Sequence, residues 1–310
     1  MTAARKSSAA QTFRGFWHGS ALGPYQLLCL RSFVANGHRV EVFSYDRDLT
    51  VPGWITRRDA REILNSDKVL HYRFGLAAGS PALHADLFRY ALLRRLGGWW
   101  IDLDVVMLDP DPIPDDVTVG YEPRPGLYVG NAIMRFPAGH ALLAEAVERC
   151  IELGENVTVW GQTGPSLMRE LVRKHDLARF CRPAQLLYPL NANDDLVALF
   201  DPAFRDEIRD RCARSWFLHL TNEIWREAGI PRDLGPPRGS FLDWLCAKHD
   251  FDSNFCDRRA SNRARSRRRP RSGRQRNRRV NVEDSLRMKS LKCCVPRFPP
   301  LFGSRPHCSR

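Results

Sequence analysis

SPALHADLFRYALLRRLGGWWIDLDVVMLDP, residues Ser80 to Pro110, holds a helix, a glycine stop and a strand, with most of the chain's useful polar chemistry. Ser80 suits an N-cap, and Pro81 suits the first helical position, where a missing N–H costs nothing. Leu83, Leu87, Phe88, Tyr90 and Ala91 recur at helical spacing, which predicts a buried face. Gly97-Gly98 closes the helix, because glycine accepts the left-handed turn that ends a last helical turn. Trp99 to Leu108 is aromatic and β-branched enough for a strand, broken only by Asp102 and Asp104.

Residues two apart in a strand project from one face, with backbones roughly 6–7 Å apart. Two carboxylates so close on an apolar strand repel and lose solvation unless a positive charge sits between them. A divalent cation carrying a diphosphate would meet that need, since Mg²⁺ and Mn²⁺ prefer carboxylate and phosphate oxygens. The other reading is a strand end that runs into water with both acids solvated. The chain has four Asp-x-Asp pairs: Asp46/Asp48, Asp102/Asp104, Asp109/Asp111 and Asp250/Asp252. Only the second follows a capped helix, a Gly-Gly stop and a strongly apolar run.

The segment ADLFRYALLRRLGGWWIDLDVVML, from Ala85 to Leu108, resembles the sugar-binding region of family 32 glycosyltransferases. These include yeast α-1,6-mannosyltransferases, animal α-1,4-galactosyltransferases and bacterial surface-polysaccharide enzymes; the large glucosylating toxins carry a similar region. The shared pattern is an Asp, an Arg three residues on, a Gly-Gly and an Asp-x-Asp: here Asp86, Arg89, Gly97-Gly98 and Asp102-Leu103-Asp104. Weaker similarity runs from about Phe13 to Trp244. The resemblance implies an α/β fold of GT-A type over residues 11–250, with a Rossmann-like, mostly parallel sheet flanked by helices. It implies metal-dependent transfer of a hexose from a nucleoside-diphosphate sugar to an acceptor hydroxyl of a glycan or polysaccharide, with retention at the anomeric carbon. Asp102 and Asp104 would be the catalytic pair. Asp104 would hold Mn²⁺ or Mg²⁺ directly, and Asp102 the metal or the donor's ribose and sugar. Asp86 and Arg89 would position the donor sugar. On helical spacing alone those two share a face roughly opposite Leu83–Leu87–Tyr90, as an ordinary exposed pair would.

The rest of the chain supplies further candidates. Phe13–Trp17 reads as a strand, Pro24–Asn36 as a helix closed by Gly37, and Val40–Ser44 as a second strand. Such a start predicts a parallel sheet with ligands at the strand carboxyl ends. Trp17 lies there, either stacking on a nucleobase, as a similar residue of the related toxins does, or packing in the core. Arg57–Leu64 reads as a charged surface helix, and Asp109–Pro114 as a proline-stiffened loop. Val117–Tyr121 and Leu127–Met134 read as strands; Asn131, on the second, lies near the donor sugar in the family or else satisfies buried backbone. Ala138–Leu153 is an amphipathic helix. Trp160–Pro165 is a tight loop feeding a helix to His175, similar to the Thr-Gly-Pro turn of family members; its amides would approach an anion, or it is a capped loop without ligand. Trp216–Leu220 is a short strand. Its His219 is the expected third metal ligand, since a late segment commonly completes such sites and imidazole suits Mn²⁺ better than Mg²⁺. Asn222 and Glu223 are the substitutes.

Composition bounds the remainder. The formal net charge of +13 is uneven: residues 258–310 hold 18 of the 48 Lys/Arg and two of the 35 Asp/Glu. That leaves 30 basic against 33 acidic residues before them, so the basic character belongs to the tail. Residues 251–310 lack hydrophobic periodicity and read as a disordered basic tail whose charge would contact nucleic acid or an anionic membrane. Nine cysteines without regular spacing argue against a disulfide framework or a zinc site. Cys29, Cys150, Cys181, Cys212 and Cys246 are expected as isolated buried thiols of a reducing compartment. No run spans a bilayer, and residues 1–11 carry charge without the apolar core of a secretory signal. A cytoplasmic location follows as an expectation, with peripheral contact at the inner membrane face through the tail. Two readings of other classes stand beside the transferase. Ile101–Val106 fits the nucleophile strand of haloacid-dehalogenase-like phosphatases, and the tail alone suits a nucleic-acid-binding protein.

Overall fold

The opening strand–helix–strand unit forms as predicted: β1 (Thr12–Phe16), α1 (Pro24–Ala35) and β2 (Arg39–Ser44), with the strands parallel. The computed structural model describes residues 9–251, apart from 67, 76 and 113; the expected basic tail lies outside them but for Phe251. β3 (Thr56–Asp59) adds to the free edge of β2, also in parallel. This corrects the helix expected over Arg57–Leu64, which instead gives β3 and one 3₁₀ turn, Ala60–Glu62. Its charged residues serve a sheet edge: Arg58 pairs with Glu41 of β2 and with Glu62, while the Asp59 carboxylate accepts the Arg61 N–H.

α2 (Ala82–Leu96) leads into β4 (Gly98–Ile101), which lies parallel to β1 on its other side. Ser80 accepts the Ala82 N–H at the helix start. At the other end Gly97 has φ 62°, and a Cβ there would lie 2.6 Å from the Ala138 nitrogen. Only glycine allows so sharp a reversal against that backbone.

The continuous strand expected from Trp99 to Leu108 breaks at the aspartates. The Asp102 N–H still reaches Ala132 O at 2.8 Å, but the Asp102 carbonyl accepts the Val105 N–H at 3.1 Å, closing a turn over Asp102-Leu103-Asp104. Leu103 packs over Gly15 of β1, where a Cβ would come within 2.5 Å of its side chain. The chain thereby leaves the main sheet as β5 (Val105–Met107). The two acids therefore sit on a turn between two sheets, not on one strand face.

β6 (Thr118–Tyr121) and β7 (Val129–Phe136) follow the proline loop, then α3 (Ala141–Leu153) and α4 (Pro165–Lys174). β8 (Cys181–Arg182), α5 (Ala184–Leu187), α6 (Leu196–Phe200) and α7 (Arg205–Arg211) lead to β9 (Phe217–His219), α8 (Asn222–Glu227) and α9 (Phe241–Lys248). The main sheet has the order β3-β2-β1-β4-β7-β6-β8, parallel except where β7 runs antiparallel to β4 and β6. β5 and β9 form a separate antiparallel pair. This is a helix-flanked, mostly parallel α/β architecture, as the sequence leads one to expect.

Alternate residues of each strand enter different cores, as strand geometry requires. Phe16 and Trp100 pack with Leu87, Phe88, Leu142 and Met168 beneath α2, α3 and α4. Phe13 and Trp99 pack on the opposite face with Phe33 of α1 and Phe217 of β9. A third cluster, including Tyr25, Leu28, Trp225, Phe241 and Leu245, ties α1 to α8 and α9. The five cysteines named above are free thiols, all buried except the half-buried Cys181. Among the described residues no helix is long and apolar enough to cross a membrane.

Candidate functional site

α2 is buried nearly all round, and this changes the reading of Asp86 and Arg89. Neither is an exposed surface residue: both lie among the buried polar groups, with Tyr90 beside them in the core. Charges so placed need partners on every side. Arg89 donates from Nη1 to Asn131 O at 3.0 Å and from Nη2 to Asp102 Oδ1 at 2.8 Å. Asp86 Oδ1 lies 3.2 Å from Arg89 and accepts Asn131 Nδ2 at 2.8 Å; its Oδ2 accepts the Thr163 hydroxyl at 2.7 Å. Tyr90 donates its hydroxyl to Thr163 O at 2.8 Å and lies 3.1 Å from Asn131 Nδ2. α2, β7 and the loop before α4 are thus joined by one polar network, and its outlet is Asp102.

Trp100 completes the hold on Asp102. Its indole N–H donates to the same Oδ1 at 2.8 Å, and the Arg89 guanidinium lies 5.2 Å from its ring centre. Asp104 is held from the other side. The β5–β9 register sets His219 opposite Val105, with Nε2 3.2 Å from Asp104 Oδ1. The Asn222 backbone N–H donates to Asp104 Oδ2 at 2.7 Å. Thr221 between them adopts φ 51°, ψ 54°, a left-handed conformation unusual for a β-branched residue. That kink is what lets His219 and Asn222 both face Asp104.

Ligand atoms of Asp102, Asp104 and His219 all lie within 4.8 Å of one another. Their side chains remain 24%, 15% and 21% exposed, so the cluster has a face to solvent. Two carboxylates and an imidazole are a donor set suited to Mn²⁺ and acceptable to Mg²⁺. Asn222 adds an independent sign of fit. Its side chain is buried, yet neither amide atom has a hydrogen-bond partner among the described residues. An amide left so is costly unless a ligand pairs with it.

The electrostatics separate the two aspartates. Burial pushes the Asp102 carboxyl up to about 6, against the opposing Arg89 guanidinium and with help from the Asp104 charge. Burial acts on Asp104 too, but the His219 imidazole and the Asn222 N–H outweigh it and hold this carboxyl below its ordinary value. Burial would lower His219; the Asp104 carboxylate bonded to it raises it above its ordinary value instead. Asp104 is the preformed anion of the site.

Other candidates fall outside this cluster or change role. Trp17 is half-buried just beyond β1, its indole N–H donating to Ala21 O at 3.0 Å while its ring packs on the core beneath. Glu223 is committed to Arg226 at 2.6 Å. In the turn at Trp160–Pro165 most amides are used internally: Gln162 donates to Val159 O, Gly164 to Gly161 O, and Gly161 to Tyr72 Oη. Thr163 contributes its hydroxyl instead. Thr163 and Tyr90 are the partners that sequence reasoning missed. The Thr-Gly-Pro turn was a usable signal for the first, while Tyr90 looked like any apolar residue of the helix.

No family model matches the chain. It is 31% identical over 91 residues to human alpha-1,4-N-acetylglucosaminyltransferase, a match covering 29% of this chain and 25% of that enzyme. The chain thus aligns with a quarter of the length of that curated relative. Among solved structures, it resembles the PaToxG glycosyltransferase at 12% identity and a TM-score of 0.41, over 76% of this chain and 87% of that one. It also resembles the bifunctional glycosyltransferase WbbM at 11% identity and a TM-score of 0.39, over 80% and 53% of the two chains. The curated relative and both of these solved structures are glycosyltransferases, the class that the Asp86–Asp104 stretch resembles.

Proposed function

We propose that this chain is a glycosyltransferase that moves a hexose from a nucleoside-diphosphate sugar to an acceptor hydroxyl of a glycan. The convergence of Asp102, Asp104 and His219 at one partly open point, beside the unpaired amide of Asn222, is the observation that carries this reading. A divalent cation bound there would offset charge on the departing diphosphate. Asp104 is its anchor, already ionised and fixed by the Asn222 N–H; His219 is turned toward it by the same carboxylate. Asp102 is kept at the rim by Arg89 and Trp100, oriented toward either the cation or the donor. Asp86, Thr163 and Asn131 fix Arg89, so these residues position the site more than they line it. Trp17, just beyond the carboxyl end of β1, would be the residue to stack on the donor's nucleobase, as the family resemblance implies.

Retention at the anomeric carbon comes with the family resemblance and is read directly from the product anomer by NMR. The catalytic unit occupies 11–250, and the basic tail is an accessory that contacts an anionic membrane or nucleic acid from the cytoplasm. The test is a screen of nucleoside-diphosphate hexoses for hydrolysis by the full chain with Mn²⁺, with Mg²⁺ and with chelator. One donor hydrolysed in a metal-dependent way supports the proposal; hydrolysis indifferent to chelator, or of no donor at all, refutes it.

A further inference from the structure

We infer that the hairpin between β6 and β7 carries a phosphate-binding site, formed by Arg124 and Arg169 around the ring of Tyr128. The loop EPRPGLY, Glu122 to Tyr128, closes on itself. The Glu122 N–H donates to Tyr128 O at 2.9 Å, and the Arg124 N–H to Glu122 O at 2.8 Å. Pro123 and Pro125 fix φ on both sides of Arg124. Asn191 Nδ2 donates to Pro123 O at 3.3 Å and ties the loop to the chain beyond α5.

The Arg124 guanidinium carbon lies 3.8 Å from the Tyr128 ring centre, and that of Arg169, reaching over from α4, lies 4.4 Å from it. Stacking on the ring favours each cation, but it also brings two like charges together. One carboxylate offsets them: Glu122, 2.5 Å from Arg124 Nε. Arg169 is exposed and has no acidic partner among the described residues. Its Nη1 donates to Gly126 O at 3.1 Å, which sets its direction and leaves most of its N–H groups unused. A guanidinium already oriented loses little freedom when a ligand arrives. Two such forks side by side suit an anion with oxygens on several sides and more than one charge. Phosphate has both properties, whereas a carboxylate has one charge and fills one fork.

The hairpin stands at the metal-cluster end of the sheet. β7 is antiparallel to β4, with Ile133 opposite Ile101 and Ala132 O accepting the Asp102 N–H. Asn131 to Val129 therefore run on past the Asp102–Asp104 turn. At Gly120 and Gly130 the paired strands leave a notch for Tyr188: a Cβ on Gly130 would lie 2.5 Å from that ring. The Tyr188 ring centre is 6.2 Å from that of His219, and the Glu122 charge acts on both residues. Arg89, by contrast, is buried and already committed to Asp86, Asp102 and Asn131 O. The phosphate can belong to a soluble molecule or to a lipid head group; the chemistry at the hairpin is the same for both.

Calorimetry on the full chain with inorganic pyrophosphate, without Mn²⁺, reads the soluble source. Cosedimentation with phosphatidylglycerol vesicles reads the lipid source, with phosphatidylcholine vesicles, which carry no net charge, as the blank. The proteins compared are the wild-type, Arg169→Gln, Arg169→Lys and Arg149→Gln, the last at an arginine of α3 paired with Glu170. All carry the same basic tail, so a difference between them belongs to the substitution. Arg169→Gln should weaken binding of one probe about tenfold, as loss of a charge-assisted contact does. Arg169→Lys should fall between it and the wild-type, and Arg149→Gln should bind as the wild-type does. A loss for pyrophosphate assigns the site to a soluble phosphate, and a loss for phosphatidylglycerol vesicles alone assigns it to a lipid head group. Melting curves show that each variant is folded; Arg124→Gln makes the same comparison from the loop should Arg169→Gln not fold. The inference is overturned if the wild-type binds neither probe, if neither probe distinguishes Arg169→Gln from the wild-type, or if Arg149→Gln is weakened as much. Because pyrophosphate is offered without metal or donor, failure of the transferase reading leaves this result standing, and its own failure leaves that reading intact.

Discussion

At the scale of residues, Asp102 and Asp104 are two spacings of one motif in very different settings. Asp104 has His219 and a backbone N–H and is held ionised; Asp102 shares its charge with Arg89 and is pushed up to about 6. Asp104→Asn should therefore abolish measurable Mn²⁺ binding by calorimetry. Asp111→Asn, in the proline loop, should leave it intact, and equal damage from both would remove the site from Asp104. Arg89→Lys is a second prediction, and the structure makes it harsher than charge counting suggests. Lysine keeps the charge but cannot reach Asn131 O, Asp86 and Asp102 together, and each buried acceptor left unpaired costs about 1–3 kcal/mol. We expect urea unfolding to report a loss of about 2–4 kcal/mol. Mn²⁺ affinity should also drop by roughly 10–100-fold, as when a partner behind a ligand is removed. Unchanged metal affinity in a folded Arg89→Lys protein would show that Asp102 does not depend on its arginine.

At the scale of elements, α2 and its glycine stop decide where Asp102 lies. Gly97→Ala forces a Cβ into the Ala138 nitrogen at 2.6 Å and an unfavourable φ of 62°. A loss of about 2–4 kcal/mol is expected from thermal melts, well beyond the usual cost of glycine to alanine in a loop. The opening β–α–β unit, α2 and its stop, and the helices after β7 were legible because capping residues, glycine and apolar spacing agreed. The break of Trp99–Leu108 was not: no glycine or proline marks the Asp102–Asp104 turn, and the cause lies elsewhere in the chain, at Gly15 and β9. Strand β3 (Thr56–Asp59) was missed for the same reason, since its Arg58 answers to Glu41 on a neighbouring strand. Asp86 and Arg89 were legible as a pair but not as a buried one. Two opposite charges on a helix look like a wet face until the tyrosine and threonine that enclose them are placed. His219 was reachable from sequence only as a lone histidine on a late strand; the β5–β9 register is what gave it a partner.

At the scale of the whole molecule, two buried neutral histidines tie stability to pH from opposite ends of the chain. His84, on α2, is packed among Phe16, Tyr45 and Phe88 with no partner for Nε2 among the described residues. Burial, then the nearby His18 and His71, lowers it to about 4. His249, after α9, is lowered to about 4 by burial and by Lys248 and Arg31. In the unfolded chain both would titrate near their ordinary value of about 6.5. A folded value below the unfolded one means that the unfolded chain binds more protons between the two. The contribution of these rings is therefore complete above about pH 6.5 and is lost as pH falls toward 4. Each loses up to about 1.4 kcal/mol per pH unit across that window, so these two rings alone contribute a loss of roughly 2–4 kcal/mol between pH 7.5 and 5, partly offset by Asp102 and His219, whose raised values favour the folded state as pH falls. Urea midpoints at the two pH values measure it. His84→Phe, which fits the aromatic surroundings and cannot charge, should remove its share of that loss, about 2 kcal/mol between pH 7.5 and 5, so the variant's midpoint should fall clearly less than the wild-type's, whatever the lost Leu70 N–H bond costs at both pH values. A folded-state NMR titration in which His84 protonates near pH 6.5 would break the argument at its first step.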